Sequence, residues 1–249
     1  MDNTNIKAPA QPGSPQQAQR WLPLGSLGTA ALIGAVFCVL LTLGFAWLAK
    51  GVFADRFVAI DDGVITWLHG YWGAMTDQFM LFFTTIGEVW VLGPLIAVVA
   101  FALTRYGRWI DAAGLVLAGL GEGLLNLLLK DLFERTRPDL FPGPLHLTTY
   151  SFPSGHAMGS IAVYGMLAFV GARLTNQRLL RYAMALAAAR IVFFVGLSRI
   201  YFGVHYPTDV IGGYLAGAIW LAISILTVLV AEEHAKRRQN GTEQVPGKP

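Results

Sequence analysis

Cysteine is nearly missing from these 249 residues: Cys38 stands alone, which excludes an intramolecular disulfide and a cysteine-based metal centre. Charge is scarce too, at 13% of residues, and the net balance of +3 gathers into no basic stripe, so nucleic acid is not an expected partner. No segment recurs at a fixed period, which excludes a solenoid or repeat array. What remains is apolar. Hydrophobic residues make up 55% of the chain, mean hydropathy is positive, and the aliphatic runs are longer than a soluble core helix needs. These features predict an all-α, polytopic membrane protein with a single domain.

Six apolar segments set the architecture: Leu27–Ala49, Phe79–Leu103, Ile110–Leu129, Ala157–Leu174, Tyr182–Leu197 and Val210–Val230. Most approach the roughly 20 residues that cross a hydrocarbon core; the fourth and fifth are short and suit a thinner region. The expected organisation is a disordered cytoplasmic tail over 1–26, a six-span domain over 27–230 and a second cytoplasmic tail over 231–249. The first twenty residues are rich in Gln, Pro and Ala with two cations, Lys7 and Arg20, and read as a disordered tail rather than a cleaved signal.

Cations orient the spans. Lys7 and Arg20 precede the first; Arg105 and Arg108 divide the second and third. Arg173, Arg178 and Arg181 divide the fourth and fifth, and Lys236, Arg237 and Arg238 follow the sixth. The positive-inside rule then places both termini in the cytoplasm. In the first outward loop, Phe57, Ile60, Val64, Trp67, Leu68 and Tyr71 recur at helical spacing, with Asp61, Asp62 and His69 elsewhere around the wheel. That pattern predicts a short interfacial helix between the first two spans. Glu88, Glu122 and Arg190 fall within apolar runs, where a lone charge is costly; Glu122 and Arg190 are expected to be structural, pairing inside the bundle or supporting the site. Glu122, Asn126 and Lys130 share one helical face.

Three polar clusters fall on the outward side. In Lys130-Asp131-Leu132-Phe133-Glu134-Arg135-Thr136-Arg137-Pro138, two helical turns would aim Lys130 and Arg137 the same way, and Pro138 discourages continuation. In Pro153-Ser154-Gly155-His156, Ser154 is placed as a helix N-cap. The helix start offers unpaired N–H groups and a positive dipole end, Gly155 admits an anion close to the backbone, and His156 adds a proton donor. In the third cluster, Ser198 to Asp209, Asp209 follows His205 by four residues. It can hold one imidazole nitrogen and leave the other free to attack, with Arg199 reaching the same pocket. Taken singly, Lys130, Arg137 or Arg199 is an ordinary headgroup-level anchor, Ser154 a cap, and His69, His146 and His234 structural. Jointly, three cations, a Ser-Gly-His helix start and a His–Asp pair converge on one membrane face.

These elements resemble the type-2 phosphatidate phosphatase superfamily, in its six-span bacterial branch. Lys130 to Pro138 is similar to its Lys, six residues, Arg-Pro element; Pro153 to His156 to its Pro-Ser-Gly-His element; Ser198 to Asp209 to its Ser-Arg, five residues, His, three residues, Asp element. The resemblance covers about Phe79 to Val230. It implies a lipid phosphatase of the bacterial inner membrane working through a phosphohistidine. His205 is the nucleophile, Asp209 its support and His156 the acid–base. Lys130, Arg137, Arg199, Ser154 and Gly155 hold the phosphate oxygens. No metal or other cofactor is expected, since the site has no cluster of carboxylates to hold Mg²⁺ and three cations fill that electrostatic role. The expected partners are a lipid phosphate and the bilayer. Undecaprenyl diphosphate leads the candidate substrates, because an outward site meets that carrier lipid where it is released; phosphatidylglycerophosphate and phosphatidate follow. Vanadium haloperoxidases use a similar cradle but are soluble, and a non-enzymatic lipid-phosphate transporter would show repeats and broken helices at the midplane.

Overall fold

The computed structural model describes the backbone of residues 24–141 and 149–243, with side chains over 32–141 and 149–238. Most of the expected N-terminal tail, and His146, lie outside the described residues. Eight helices follow in chain order: α1 (Leu24–Phe53), α2 (Val58–His69), α3 (Ala74–Ile86), α4 (Val89–Arg105), α5 (Trp109–Phe133), α6 (Gly155–Arg173), α7 (Arg178–Tyr201) and α8 (Pro207–Glu243). No strand occurs among the described residues. Five helices are long and apolar enough to cross a membrane, and α3 with α4, bent by 49°, make a sixth when taken as one broken span. The all-helical, six-span expectation therefore holds, with one correction. The apolar run Phe79–Leu103 is not a continuous helix but breaks at Gly87 and Glu88, where Glu88 turns extended (φ −74°, ψ 145°). Apolar composition cannot register such a break, because both halves remain hydrophobic.

Helix α6 is the hub, packed against α5, α7 and α8, while α1 lies on α8, α4 on α5 and α3 on α7. Ala157, Met158, Ala162, Val163, Met166 and Val170 of α6 are all buried. The tightest approach is between α6 and α8. A Cβ on Gly213 would lie 2.5 Å from the Ser154 carbonyl oxygen, and one on Gly217 would lie 2.7 Å from that of Met158. Backbone meets backbone there because neither position carries a side chain. The outer surface stays apolar, with Phe37, Leu40, Leu43, Val98, Phe101 and Leu120 all exposed, as a lipid-facing belt requires.

The interfacial helix forms as α2, but its inward face differs from the expected one. Ile60 and Trp67 are exposed, and Asp61, Ile65 and Leu68 are buried, an i, i+4, i+7 stripe that contains a carboxylate. Nor do Glu122 and Arg190 pair. Glu122 is buried in α5, Arg190 is exposed on α7, and no ion pair joins them among the described residues. At the end opposite the polar clusters, Arg108 and Arg173 approach Asp111 at 2.6 and 3.6 Å, and Arg173 also pairs with Glu232. This ties α5, α6 and α8 together. Helix α8 continues well past Val230, to Glu243.

Candidate active site

The C-terminal ends of α5 and α7 meet the N-terminal ends of α6 and α8, which brings all three polar clusters into one place. Helix α5 stops at Phe133, because Glu134 adopts left-handed backbone geometry (φ 44°). Lys130 and Arg137 are therefore not two turns of one helix, as their spacing predicted. Arg137 reaches back from the following segment, and the two cations converge on a shared anchor: Lys130 Nζ donates to the Tyr150 carbonyl at 2.6 Å and Arg137 Nη2 donates to the same oxygen at 3.2 Å. Arg137 also donates to the carbonyls of Thr149 and Val204, each at 2.7 Å. Burial holds the Arg137 guanidinium below its ordinary pKa, with the Asp209 carboxylate opposing that effect.

His205 lies in the short turn between α7 and α8 and is 2% exposed. Its Nδ1 faces Asp209 Oδ2 at 3.4 Å, and Arg137 Nη1 approaches its Nε2 at 3.2 Å. An arginine can only donate, so Nε2 is the acceptor nitrogen and the proton sits on Nδ1, facing the carboxylate. Burial first, then repulsion from Arg137 and Arg199, pushes the imidazole down to a pKa of about 3 against the pull of Asp209. The ring is neutral across the physiological range.

Asp209 is saturated. Arg135 and the Ser151 hydroxyl donate to its two oxygens, and the Tyr206 N–H donates at 2.9 Å. Arg135 also donates to Asp61 at 2.8 Å, and Asp61 accepts from the Thr208 N–H and hydroxyl at 3.1 and 2.6 Å. Burial opposes the Arg135 charge, but the Asp209 and Asp61 carboxylates outweigh it and raise the guanidinium above its ordinary pKa. Arg135, Ser151 and Asp61 were not among the sequence-derived site residues. The available signal for Asp61 was its place on the Ile65–Leu68 stripe.

At the head of α6, Ser154 occupies the N-cap position, yet its hydroxyl makes no capping bond. That Oγ is buried and without a partner, while the Ser154 N–H donates to the Asp209 carbonyl at 3.0 Å. The absent Cβ of Gly155 leaves room first for Asn126, whose Oδ1 would lie 2.9 Å from it. Asn126 in turn donates to the Pro153 carbonyl at 3.3 Å. His156 Nε2 lies 3.1 Å from Glu88 Oε1, so the helix break delivers a carboxylate that sequence reading left unassigned. Arg199, 1% exposed, donates to the Thr84 hydroxyl of α3 and keeps a buried Nε without a partner. Among the described residues no three His, Cys, Asp or Glu side chains group closely enough to hold a metal ion. A cavity of about 610 Å³ adjoins Arg137, lined also by Arg135, by Phe53, Phe133 and Leu140, and by the acids Asp55, Asp62, Glu134 and Asp139.

A neutral buried histidine backed by a carboxylate, a second histidine, three cations and a buried unpaired hydroxyl, all at one end of a membrane-spanning bundle, define a membrane enzyme that handles phosphate. Comparison with known proteins places it further. The PAP2 superfamily pattern matches residues 111–232. Phosphatidylglycerophosphatase B of Bacillus subtilis is 34% identical over 147 residues, covering 57% of this chain and 70% of that protein. An undecaprenyl-diphosphatase of Sulfolobus acidocaldarius is 32% identical, covering 63% of this chain and 71% of that one. The crystal structure of the Bacillus subtilis PAP2-type phosphatidylglycerolphosphate phosphatase superposes with a TM-score of 0.71 at 30% identity, over 75% of this chain and 93% of that one. Of the Rhizobium lipid A phosphatases it also resembles, the chain spans about half the length. The chain belongs to the PAP2 superfamily, and is a multi-pass membrane lipid phosphatase.

Proposed function

We propose that the protein removes the terminal phosphate of a lipid (di)phosphate at the outward face of a bacterial inner membrane, through a phosphohistidine on His205. The observation that carries this reading is the setting of His205, Nδ1 facing Asp209 at 3.4 Å and Nε2 beside Arg137 at 3.2 Å, which favours the proton on Nδ1 and the lone pair on Nε2. Nε2 attacks the terminal phosphorus, and the bond from phosphorus to the lipid oxygen breaks. His156 gives that oxygen its proton. The phosphoryl group then sits on Nε2, with Asp209 stabilising the imidazolium. His156, now neutral, takes a proton from water, whose oxygen attacks phosphorus; the P–N bond breaks and inorganic phosphate leaves.

Lys130, Arg137 and Arg199 neutralise the equatorial oxygens, and Ser154 Oγ and the Gly155 N–H donate to them. The buried, unpartnered Ser154 hydroxyl and Arg199 Nε support this role, since buried polar atoms ordinarily have partners. Phosphoryl transfer depends mostly on positioning and charge stabilisation. The residue groups 1–26, 27–230 and 231–249 serve as tail, catalytic domain and tail, with the tails cytoplasmic.

Undecaprenyl diphosphate is the substrate we favour, because an outward site meets that carrier lipid where it is released, and a similar protein carries that activity in its name. Phosphatidylglycerophosphate is the second reading, favoured by the similarity spanning 93% of the Bacillus subtilis enzyme chain. Phosphate release from undecaprenyl diphosphate, phosphatidylglycerophosphate, phosphatidate and lipid A 1-phosphate by the purified protein, with His205→Ala alongside, tests both. Undecaprenyl diphosphate should give the highest kcat/KM, EDTA should leave the rate unchanged, and His205→Ala should form no phosphoenzyme. Substantial turnover by His205→Ala, or activity restored only by Mg²⁺, overturns the mechanism.

A further inference from the structure

The site contains two histidines but only one sequence-evident carboxylate partner, and the fold supplies the other from an unexpected place. Glu88 sits at the break between α3 and α4, its backbone extended and its side chain capping no helix N–H. Its Oε1 lies 3.1 Å from His156 Nε2, within ion-pair distance though not aligned as a hydrogen bond. The charged groups facing His156 are Glu88 from the break, Arg199 from α7 and Lys130 from α5. Two of the three are cations, so without Glu88 the ring would sit among positive charges alone.

The broken helix is braced where it matters. Thr84, one turn before Glu88, accepts a hydrogen bond from Arg199, and the Ile86 carbonyl accepts one from the Tyr164 hydroxyl of α6 at 2.8 Å. Both ties cross to helices that carry site residues, and both fix the end of α3 just before the break.

We infer that Glu88 is the positioning residue of the general acid: it pairs with Nε2 of His156 and so presents the protonated Nδ1 to the departing lipid oxygen. The site then holds two His–carboxylate pairs of opposite use. His205–Asp209 exposes a lone pair for attack, and His156–Glu88 exposes a proton for the leaving group. The inference rests on the reading of His156 as the acid given above. No bond to Glu88 forms or breaks in the reaction; the proton travels from His156 to the lipid oxygen and returns from water.

The test uses leaving-group dependence, because an acidic leaving group needs no proton. kcat/KM is measured for phosphatidate, whose leaving alkoxide is basic, and for p-nitrophenyl phosphate, whose leaving phenolate is not. The ratio of the two values within one preparation is independent of how much of the protein is folded. Glu88→Gln should lower kcat/KM on phosphatidate by at least about 10-fold, part of the roughly 10²–10⁴-fold that a positioned general acid contributes, and on p-nitrophenyl phosphate by less than about 3-fold. Its alkaline limb in the pH profile should move to lower pH, and Glu88→Asp should restore much of the ratio. An unchanged ratio in Glu88→Gln overturns the inference. His156→Ala separates the two claims: if it too leaves the ratio unchanged, His156 is not the acid, whereas if it shifts the ratio and Glu88→Gln does not, only the role of Glu88 fails.

Discussion

Asp209 does more than orient one imidazole. With both oxygens held by Arg135, Ser151 and the Tyr206 N–H, it is a fixed negative charge beneath His205, locked before substrate arrives. Arg135 makes that possible by balancing Asp209 against Asp61. Removing one member of a buried ion network leaves an uncompensated charge, at roughly 3–5 kcal/mol. Arg135→Met should therefore lower the melting temperature of the detergent-solubilised protein and abolish most activity, whereas Asp61→Asn, which keeps the shape of the acceptor, should do less; calorimetry and phosphate release check both.

His205 makes a separate prediction. Its folded-state pKa of about 3 lies below the ordinary histidine value of about 6.5, so between those limits the unfolded chain binds a proton that the folded chain refuses. Stability must rise with pH through that window and fall as the solution is acidified. Between pH 7 and pH 4 the melting temperature of the wild type should fall more steeply than that of His205→Gln, because only the wild type has this proton to refuse.

Among the elements, α6 and α8 set the geometry of the site. Their backbones touch where Gly213 and Gly217 lie against the Ser154 and Met158 carbonyls, and the same approach lets the Ser154 N–H reach the Asp209 carbonyl. One strut thus sets the spacing between the proposed phosphate cradle and Asp209, the proposed support of the nucleophile. A methyl group at 213 would meet main chain, which cannot swing aside as a flexible side chain can. Gly213→Ala should cost at least tenfold in kcat, since displacements near 1 Å cost about that much or more, together with a loss of several degrees in melting temperature. Activity and thermal unfolding measured side by side will show both losses.

Across the whole molecule, the two ends of the bundle differ in kind. One end gathers Lys130, Arg137 and Arg199 around two histidines; the other carries the Arg108–Asp111–Arg173–Glu232 cluster that ties α5, α6 and α8. The surplus of cations beside the second end is the observation behind its proposed cytoplasmic location, by the positive-inside rule. After Cys38→Ser, a cysteine introduced at Arg56 in intact cells should react with a membrane-impermeant maleimide, and one at Arg238 should react only after permeabilisation. The opposite labelling pattern would reverse the proposed orientation.

Much of this protein is legible without coordinates, because the relevant signals are local. Apolar runs long enough to cross a bilayer define the spans, and Lys130, Arg137, Ser154, His156, Arg199, His205 and Asp209 sit at the polar ends of those runs, where a helix terminus places them on the same side. His205 and Asp209, four apart, were bound to meet once a helix began at Pro207. Helical periodicity does not reveal which way a helix turns against its neighbours, or where an apolar run breaks. Asp61 and Arg135 are 74 positions apart, as are Arg135 and Asp209, and they meet because α2 and α5 both dock against α8. Glu88 lies inside a hydrophobic stretch that reads as one span, and meets His156 only because α3 and α4 bend there. The amino-acid sequence determined which chemical groups reach one face of the membrane; tertiary packing decided their partners, because the rotation, tilt and breaks of helices depend on contacts made far along the chain.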